Sequence, residues 1–165
     1  MTPVQGMNED AQQRMAYLRT HRDEIAGRLA SMTTRCGMMY VAKRLAQFKI
    51  GTGQAFIMAE LYLRDDVSQD DVRSLVKMDK GTVTRAMQRL EDLGFILRRH
   101  DSDDRRVVRV LVTEAARAIE EDFFEVLFEW NEGILKGISE EEQQVAVSVL
   151  RRMAANAEVM AHGCQ

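Results

Sequence analysis

The segment from Ser68 to Thr113 leaves this chain the fewest choices of fold, because two helix signatures in immediate succession are followed by an abrupt change of period. Ser68 is a good N-cap, and Asp71 three residues on acts as a shortened capping-box acid. Gln69 to about Lys77 therefore reads as a short helix, buried along Val72, Leu75 and Val76. Met78 and Asp79 leave room only for a tight connection, since Asp79 is itself an N-cap for a helix over Lys80 to Leu93, which Gly94 ends in the C′ position. Beyond Gly94 helical spacing stops. Phe95 to Leu97 and Val107 to Val112 are two short β-prone runs, and the polar RRHDSDDRR between them reads as the tip of a hairpin.

The flanks are helical. From about Ala11 to Phe48, Ile25, Leu29, Met32, Cys36 and Met39 recur at steps of four and three and predict one long helix with a single apolar stripe. After Gly51-Thr52-Gly53 a helix over Gln54 to Leu63 is expected to carry Phe56, Ile57, Met58 and Leu61 into a core. Thr113 caps a predicted long helix to about Lys136, striped by Ile119, Phe123, Leu127, Trp130 and Ile134. Gly137 ends it, and Ser139 with Glu142 forms a capping box for a last helix lined by Ala146, Leu150, Met153, Ala157 and Met160. The first ten residues read as a loose tail. One proline and ten glycines among 165 residues agree with a mainly helical chain.

Composition excludes several classes. Cys36 and Cys164 form no CxxC pair, and His21, His100 and His162 stand alone, so neither a disulfide framework nor a metal site is expected. No glycine-rich phosphate loop or nucleophile motif is present, so neither a cofactor nor an enzymatic activity is expected. No apolar run approaches the roughly 20 residues that span a bilayer, and the polar start carries acids where a signal peptide would be apolar; the chain reads as cytoplasmic.

Net charge is −3, but its distribution is uneven. Residues 114–165 hold four basic and eleven acidic side chains, whereas Lys80 to Arg109 hold eight basic against five acidic. An anionic partner should meet the middle segment. There Val83, Ala86, Met87, Leu90 and Leu93 fall on one helix face, and Lys80, Thr82, Thr84, Arg85, Gln88 and Arg89 fall on the other. Such a row of donors suits the major groove, where Arg bonds guanine bidentately and Gln bonds adenine. A solvated helix face remains the plainer alternative. The hairpin adds Arg98, Arg99, Arg105 and Arg106 on a narrow projection fit for a minor groove, with Asp104 placed to hold the Arg106 guanidinium in one rotamer.

The run from Ile50 to Thr113 resembles the winged helix-turn-helix of the MarR (multiple antibiotic resistance regulator) family of transcription factors. DKGTVTR at 79–85, RLEDLGFI at 89–96 and DSDDRR at 101–106 carry the likeness in the family's order and spacing. Departures are Ile50-Gly51 before the second helix, Ser102 where a wing-tip proline is common, and Ala116 in place of a glycine. The resemblance implies a mainly α fold with a small β-hairpin wing. A DNA-binding domain over 49–113 would be flanked by dimerisation helices over 1–48 and 114–165. It further implies a homodimer on double-stranded DNA with a pseudo-palindromic operator, most often as a repressor. The expected DNA contacts are Ser68, Lys80, Thr82, Thr84, Arg85, Gln88, Arg89, Arg98, Arg99, Asp104, Arg105 and Arg106.

Burial of the terminal apolar stripes against a second copy is the dimeric reading, and packing of those helices within one chain is the other. Relatives in the family respond to small phenolic or anionic effectors or to cysteine oxidation. Cys36, Met39, Tyr40 and Arg44 are the corresponding candidates, although a cysteine on such an apolar stripe is more often a small buried hydrophobe than a sensor. The alternative to a regulator is a winged-helix protein-interaction module without sequence-specific DNA binding.

Overall fold

The computed structural model describes residues 8–162; the N-terminal residues of the expected tail and Cys164 lie outside them. The chain divides into two compact units, residues 1–123 and 124–165.

In the first unit, helix α1 (Glu9–Thr20) starts where Asn8 accepts the Ala11 N–H at 2.9 Å, so its opening turn takes residues expected to be loose. The single helix predicted over 11–48 is broken. Helix α2 (Ala26–Leu45) begins only after a 3₁₀ turn at Arg22–Glu24 and an extended Ile25. At the end of α1 Thr20 donates its hydroxyl to Ala16 O, and the His21 ring bonds Tyr17 O and stacks on the Tyr17 ring. The buried positions of α2 are Gly37, Val41 and Leu45. The predicted stripe is largely uncovered: Met32 is 44% and Met39 73% exposed, and Cys36 is exposed as well.

Helix α3 (Thr52–Leu63) starts two residues earlier than expected, because the Gln54 side chain accepts the Gly51 N–H at 3.0 Å and closes the first turn over the glycines. Ile57, Met58 and Leu61 are fully buried as predicted, but Phe56 is exposed, since the 100° step of a helix turns it off the face that Ile57 occupies. Helix α4 (Gln69–Val76) and helix α5 (Lys80–Asp92) lie close to their predicted bounds. The Ser68 hydroxyl accepts the Asp71 N–H, and the Asp79 carboxylate accepts the Thr82 N–H at 2.9 Å. Lys77 and Gly94, both at positive φ, end the two helices.

Strands β2 (Ile96–His100) and β3 (Val108–Val112) pair antiparallel from Ile96 opposite Val112 to His100 opposite Val108. A two-residue strand β1 (Val67–Ser68) adds to the other edge of β3, giving the order β1-β3-β2. Two residues carry no period, so β1 had no signal of its own. Val72, Val83, Met87, Leu90 and Val110 are fully buried and place the core between the helices and the sheet.

The helix predicted from Thr113 to Lys136 is two helices, α6 (Glu114–Arg117) and α7 (Glu120–Leu135). In an unbroken helix the Ala116 carbonyl would accept from residue 120. Here it accepts the Tyr62 hydroxyl at 2.8 Å and the Ile119 N–H. Tyr62 also meets the Phe123 ring edge-on, 5.2 Å between centroids. Burial pushes the Tyr62 phenol up to about 12, so it stays a donor at any physiological pH.

The second unit contains the rest of α7 and helix α8 (Glu140–His162). Gly137, at φ 84°, ends α7. The Ser139 hydroxyl accepts the Glu142 N–H while the Glu142 carboxylate accepts the Ser139 N–H, the predicted capping box. Phe128, Val145, Leu150 and Met160 are each more than half exposed. Among the described residues no helix is long and apolar enough to cross a membrane.

Candidate nucleic-acid interface

Helix α5 is presented by burial of its other side. Val83, Ala86, Met87 and Leu90 are 0–4% exposed, which fixes the rotation of the helix about its axis. Lys80, Thr84, Arg85, Gln88 and Arg89 are thereby exposed, and Thr82 is half-buried. Local bonds order part of this face. Arg85 donates to the Thr82 hydroxyl at 3.2 Å, and Thr84 donates to Lys80 O. The Asp79 carboxyl stays below the usual carboxylate range because it accepts bonds from Thr82. The N-cap that starts the helix is thus ionised at neutral pH.

The wing tip is ordered by its acids. Asp101 Oδ1 accepts the N–H groups of Asp103, at 2.8 Å, and Asp104, at 3.3 Å, and these bonds hold its carboxyl below the usual range. His100 Nδ1 lies 2.8 Å from Arg105 O, and Asp101 N–H donates to Val107 O. Asp103 accepts from the Ser102 hydroxyl, and Asp101 and Asp104 are engaged with the loop backbone. Arg105 and Arg106 project beyond it, the Arg106 side chain being 95% exposed.

Asp104 acts differently from expectation. It accepts the Arg106 backbone N–H at 2.9 Å, whereas the Arg106 guanidinium is 3.9 Å away, the outer limit of an ion pair. It fixes the backbone turn that carries Arg106 and makes only a long ion pair with the side chain. Arg98 is also placed differently: only 20% exposed, it donates through Nε and Nη2 to Glu91 and through Nη2 to Gln88. The Arg98 bond keeps the Glu91 carboxyl below its usual range. Arg99 is partly engaged, 3.5 Å from Asp66. Ser68 spends its hydroxyl on Asp71, accepting from its N–H and donating to its carboxylate.

Sequence reasoning missed the groups that anchor the wing. Asp66 sits at φ 56°, where its carboxylate and carbonyl both accept from Arg109 on β3. Asp65 accepts the Val112 N–H at 2.9 Å and pairs with Arg117 at 2.8 Å. The local signal, Arg64-Asp65-Asp66, follows directly on the end of α3. Its partners lie more than 40 residues away in sequence, and nothing in either segment names the other.

Cys36, Met39, Tyr40 and Arg44 form a strip on α2. Arg44 donates to the Tyr40 hydroxyl at 2.9 Å and lies 5.7 Å from its ring centre. Cys36 is on the surface of the described chain, which corrects its reading as a buried hydrophobe. Among the described residues no three His, Cys, Asp or Glu side chains gather as a metal site would require.

The MarR family pattern matches residues 52–108, from the start of α3 to the start of β3. An HTH-type transcriptional regulator of Bacillus subtilis (strain 168), YdgJ, is 31% identical over 100 residues, 61% of this chain and 61% of its own length. The chain thus spans about three-fifths of that relative. The crystal structure of a MarR transcriptional regulator from Methanosarcina mazei Go1 superposes with a TM-score of 0.74 at 30% identity, over 81% of this chain and 90% of that one. A putative MarR family regulator from Listeria monocytogenes, solved in complex with a 26mer DNA, shares the fold at 18% identity, TM-score 0.76, over 80% of this chain and 88% of that one.

Proposed function

This chain belongs to the MarR family of transcriptional regulators, which are not enzymes, and on that footing we propose that it is a homodimeric repressor binding a pseudo-palindromic operator. The observation that carries the reading is the pairing of two cationic projections on one domain. The exposed face of α5 offers donors at a spacing suited to base edges, and the ordered wing tip holds Arg105 and Arg106 clear of the protein. Lys80, Thr84, Arg85, Gln88 and Arg89 enter the major groove in this reading, and Arg105 and Arg106 reach the minor groove. The Listeria relative's complex with DNA supports it.

Dimerisation is supported by the uncovered apolar positions of α2 and α8. Met32 and Met39 on the first and Val145, Leu150 and Met160 on the second are 44–73% exposed. Isolated exposed apolar side chains are ordinary, but a run at helical spacing calls for a partner, and a second copy offers a self-complementary one. Residues 1–48 and 114–165 would supply that interface and 49–113 the DNA contacts, with half-sites about 34 Å apart. Relief of repression is assigned to the exposed α2 strip, by a small phenolic or anionic compound near Tyr40 and Arg44 or by oxidation of Cys36.

The test is a salt titration of the purified protein on DNA from upstream of its own gene, against a scrambled duplex of equal length. Tighter binding to the native duplex, falling steeply with salt, is expected from several phosphate contacts. Equal or absent binding to both would overturn the regulator reading and favour a protein-interaction module.

A further inference from the structure

The arginine that β2 turns back toward α5 carries an inference about how the helix reads DNA. Arg98 was expected on the DNA. Instead its Nη2 donates to Gln88 Oε1 at 2.6 Å, and the same guanidinium is held in place by Glu91. At the other end of the amide, Gln88 Nε2 donates to Asp92 Oδ1 at 2.9 Å. A flipped amide would set its NH₂ group against a guanidinium and its carbonyl against a carboxylate, so these partners permit one orientation only.

We propose that Arg98 is a positioning residue, which fixes the Gln88 amide for reading an adenine and makes no DNA contact of its own. The proposal rests on α5 being the base-reading helix. An adenine in the major groove offers an N6–H donor and an N7 acceptor, so it needs one acceptor and one donor from the side chain. The carbonyl oxygen has two lone pairs and the amide nitrogen two protons. With Arg98 on one lone pair and Asp92 on one N–H, Gln88 keeps one of each for the base. The long side chain, free on a bare helix face, is ordered before DNA arrives, and the entropy loss normally incurred on binding is incurred on folding. Glu91 keeps the arrangement from collapsing, because it neutralises the guanidinium of a side chain that is only 20% exposed.

The distinguishing measurement is base discrimination, read on the upstream duplex with each base pair of a half-site replaced in turn. Gln88→Ala identifies the pair that Gln88 reads. Arg98→Met, which keeps the apolar stem, is expected to lower preference at that same pair by roughly three- to tenfold while leaving the salt slope unchanged. In the Gln88→Ala background it should cost nothing further there. Asp92→Ala, at an exposed position, should reproduce the loss from the other end, and covers the case in which Arg98→Met unfolds the wing. A uniform loss of affinity with a shallower salt slope would make Arg98 a phosphate contact and overturn the proposal. So would a loss that adds fully to that of Gln88→Ala, or no loss at all. If the unmodified protein distinguished no base pair, the operator reading would fall and this proposal with it; intact discrimination with any of the preceding results would sink the Arg98 assignment alone.

Discussion

Arg106→Ala separates contact with DNA from support of the fold, because the structure gives this side chain almost nothing to do in the free protein. It is 95% exposed and its ion-pair partner among the described residues, Asp104, is 3.9 Å away, so the melting temperature should not move. The turn survives as well, since Asp104 accepts the backbone N–H of residue 106, which alanine keeps. The cost should fall on DNA. In the minor groove Arg106 stands between two rows of phosphates and counts as about one neutralised charge, about 0.9 in the slope of log affinity against log salt, so the two wings of the proposed dimer contribute about 1.8. Over a fourfold change in salt, from about 50 to 200 mM, that difference amounts to about 12-fold in relative affinity. Fluorescence anisotropy on the upstream duplex at three salt concentrations, with a melting curve for each protein, reads both quantities. Parallel salt lines for the two proteins would refute the wing assignment, and a lowered melting temperature would refute the claim that Arg106 is structurally idle. Arg99→Ala is the internal comparison: its guanidinium is shared with Asp66, so its slope change should be smaller.

Ser68→Ala should destabilise the protein by about 1 kcal/mol through loss of the α4 cap, read by urea denaturation, and leave DNA affinity alone; a loss of affinity at unchanged stability would make Ser68 a DNA contact instead. Leu90→Ala removes a fully buried side chain beneath the exposed polar face of α5, and about 2–5 kcal/mol of stability should go with it; a loss below about 1 kcal/mol would mean that the site collapses freely. Asp65→Ala should cost about 1–2 kcal/mol, the value of charged hydrogen bonds discounted for a carboxylate that is 39% exposed. The pH dependence has a definite sign. Desolvation alone would raise the Asp65 carboxyl, but the bonds from Val112, Arg117 and Asp66 together outweigh it and hold it below its ordinary value. Its contribution is therefore complete above the ordinary carboxylate value of about 3.9 and is lost as pH falls through the lower folded value. The stability gap between the unmodified protein and Asp65→Ala should close in acid, and a gap that widened there would refute the account.

Most of the fold was legible because its signals are local. Ser68, Asp79, Ser139 and Glu142 cap helices with bonds to backbone three residues away, a distance any reader of the chain can see. The face of α5 followed from the spacing of Val83, Met87 and Leu90. The errors share the opposite character. One long helix over 11–48 gives way at residues 21–25 to a 3₁₀ turn and an extended Ile25, an interruption that no proline or glycine marks. The helix after Thr113 broke because Tyr62, 54 positions earlier, takes the Ala116 carbonyl that a continuous helix would need. Strand β1 exists only because β3 offers it an edge.

The candidate interface divides along the same line. Its location, its cationic composition and the order of helix, turn, helix and wing were determined by the amino-acid sequence itself, since caps, period and charge act within a few residues of where they stand. Which of its arginines remain free was decided only by the tertiary structure. Arg98 and Arg106 are both arginines of one hairpin. One is enclosed by Glu91 and Gln88 of the neighbouring helix, and the other stands in solvent. The physical reason is that an ion pair depends on distance in space, and the chain brings Asp66 to Arg109, or Glu91 to Arg98, only after helices and strands have packed around a shared core.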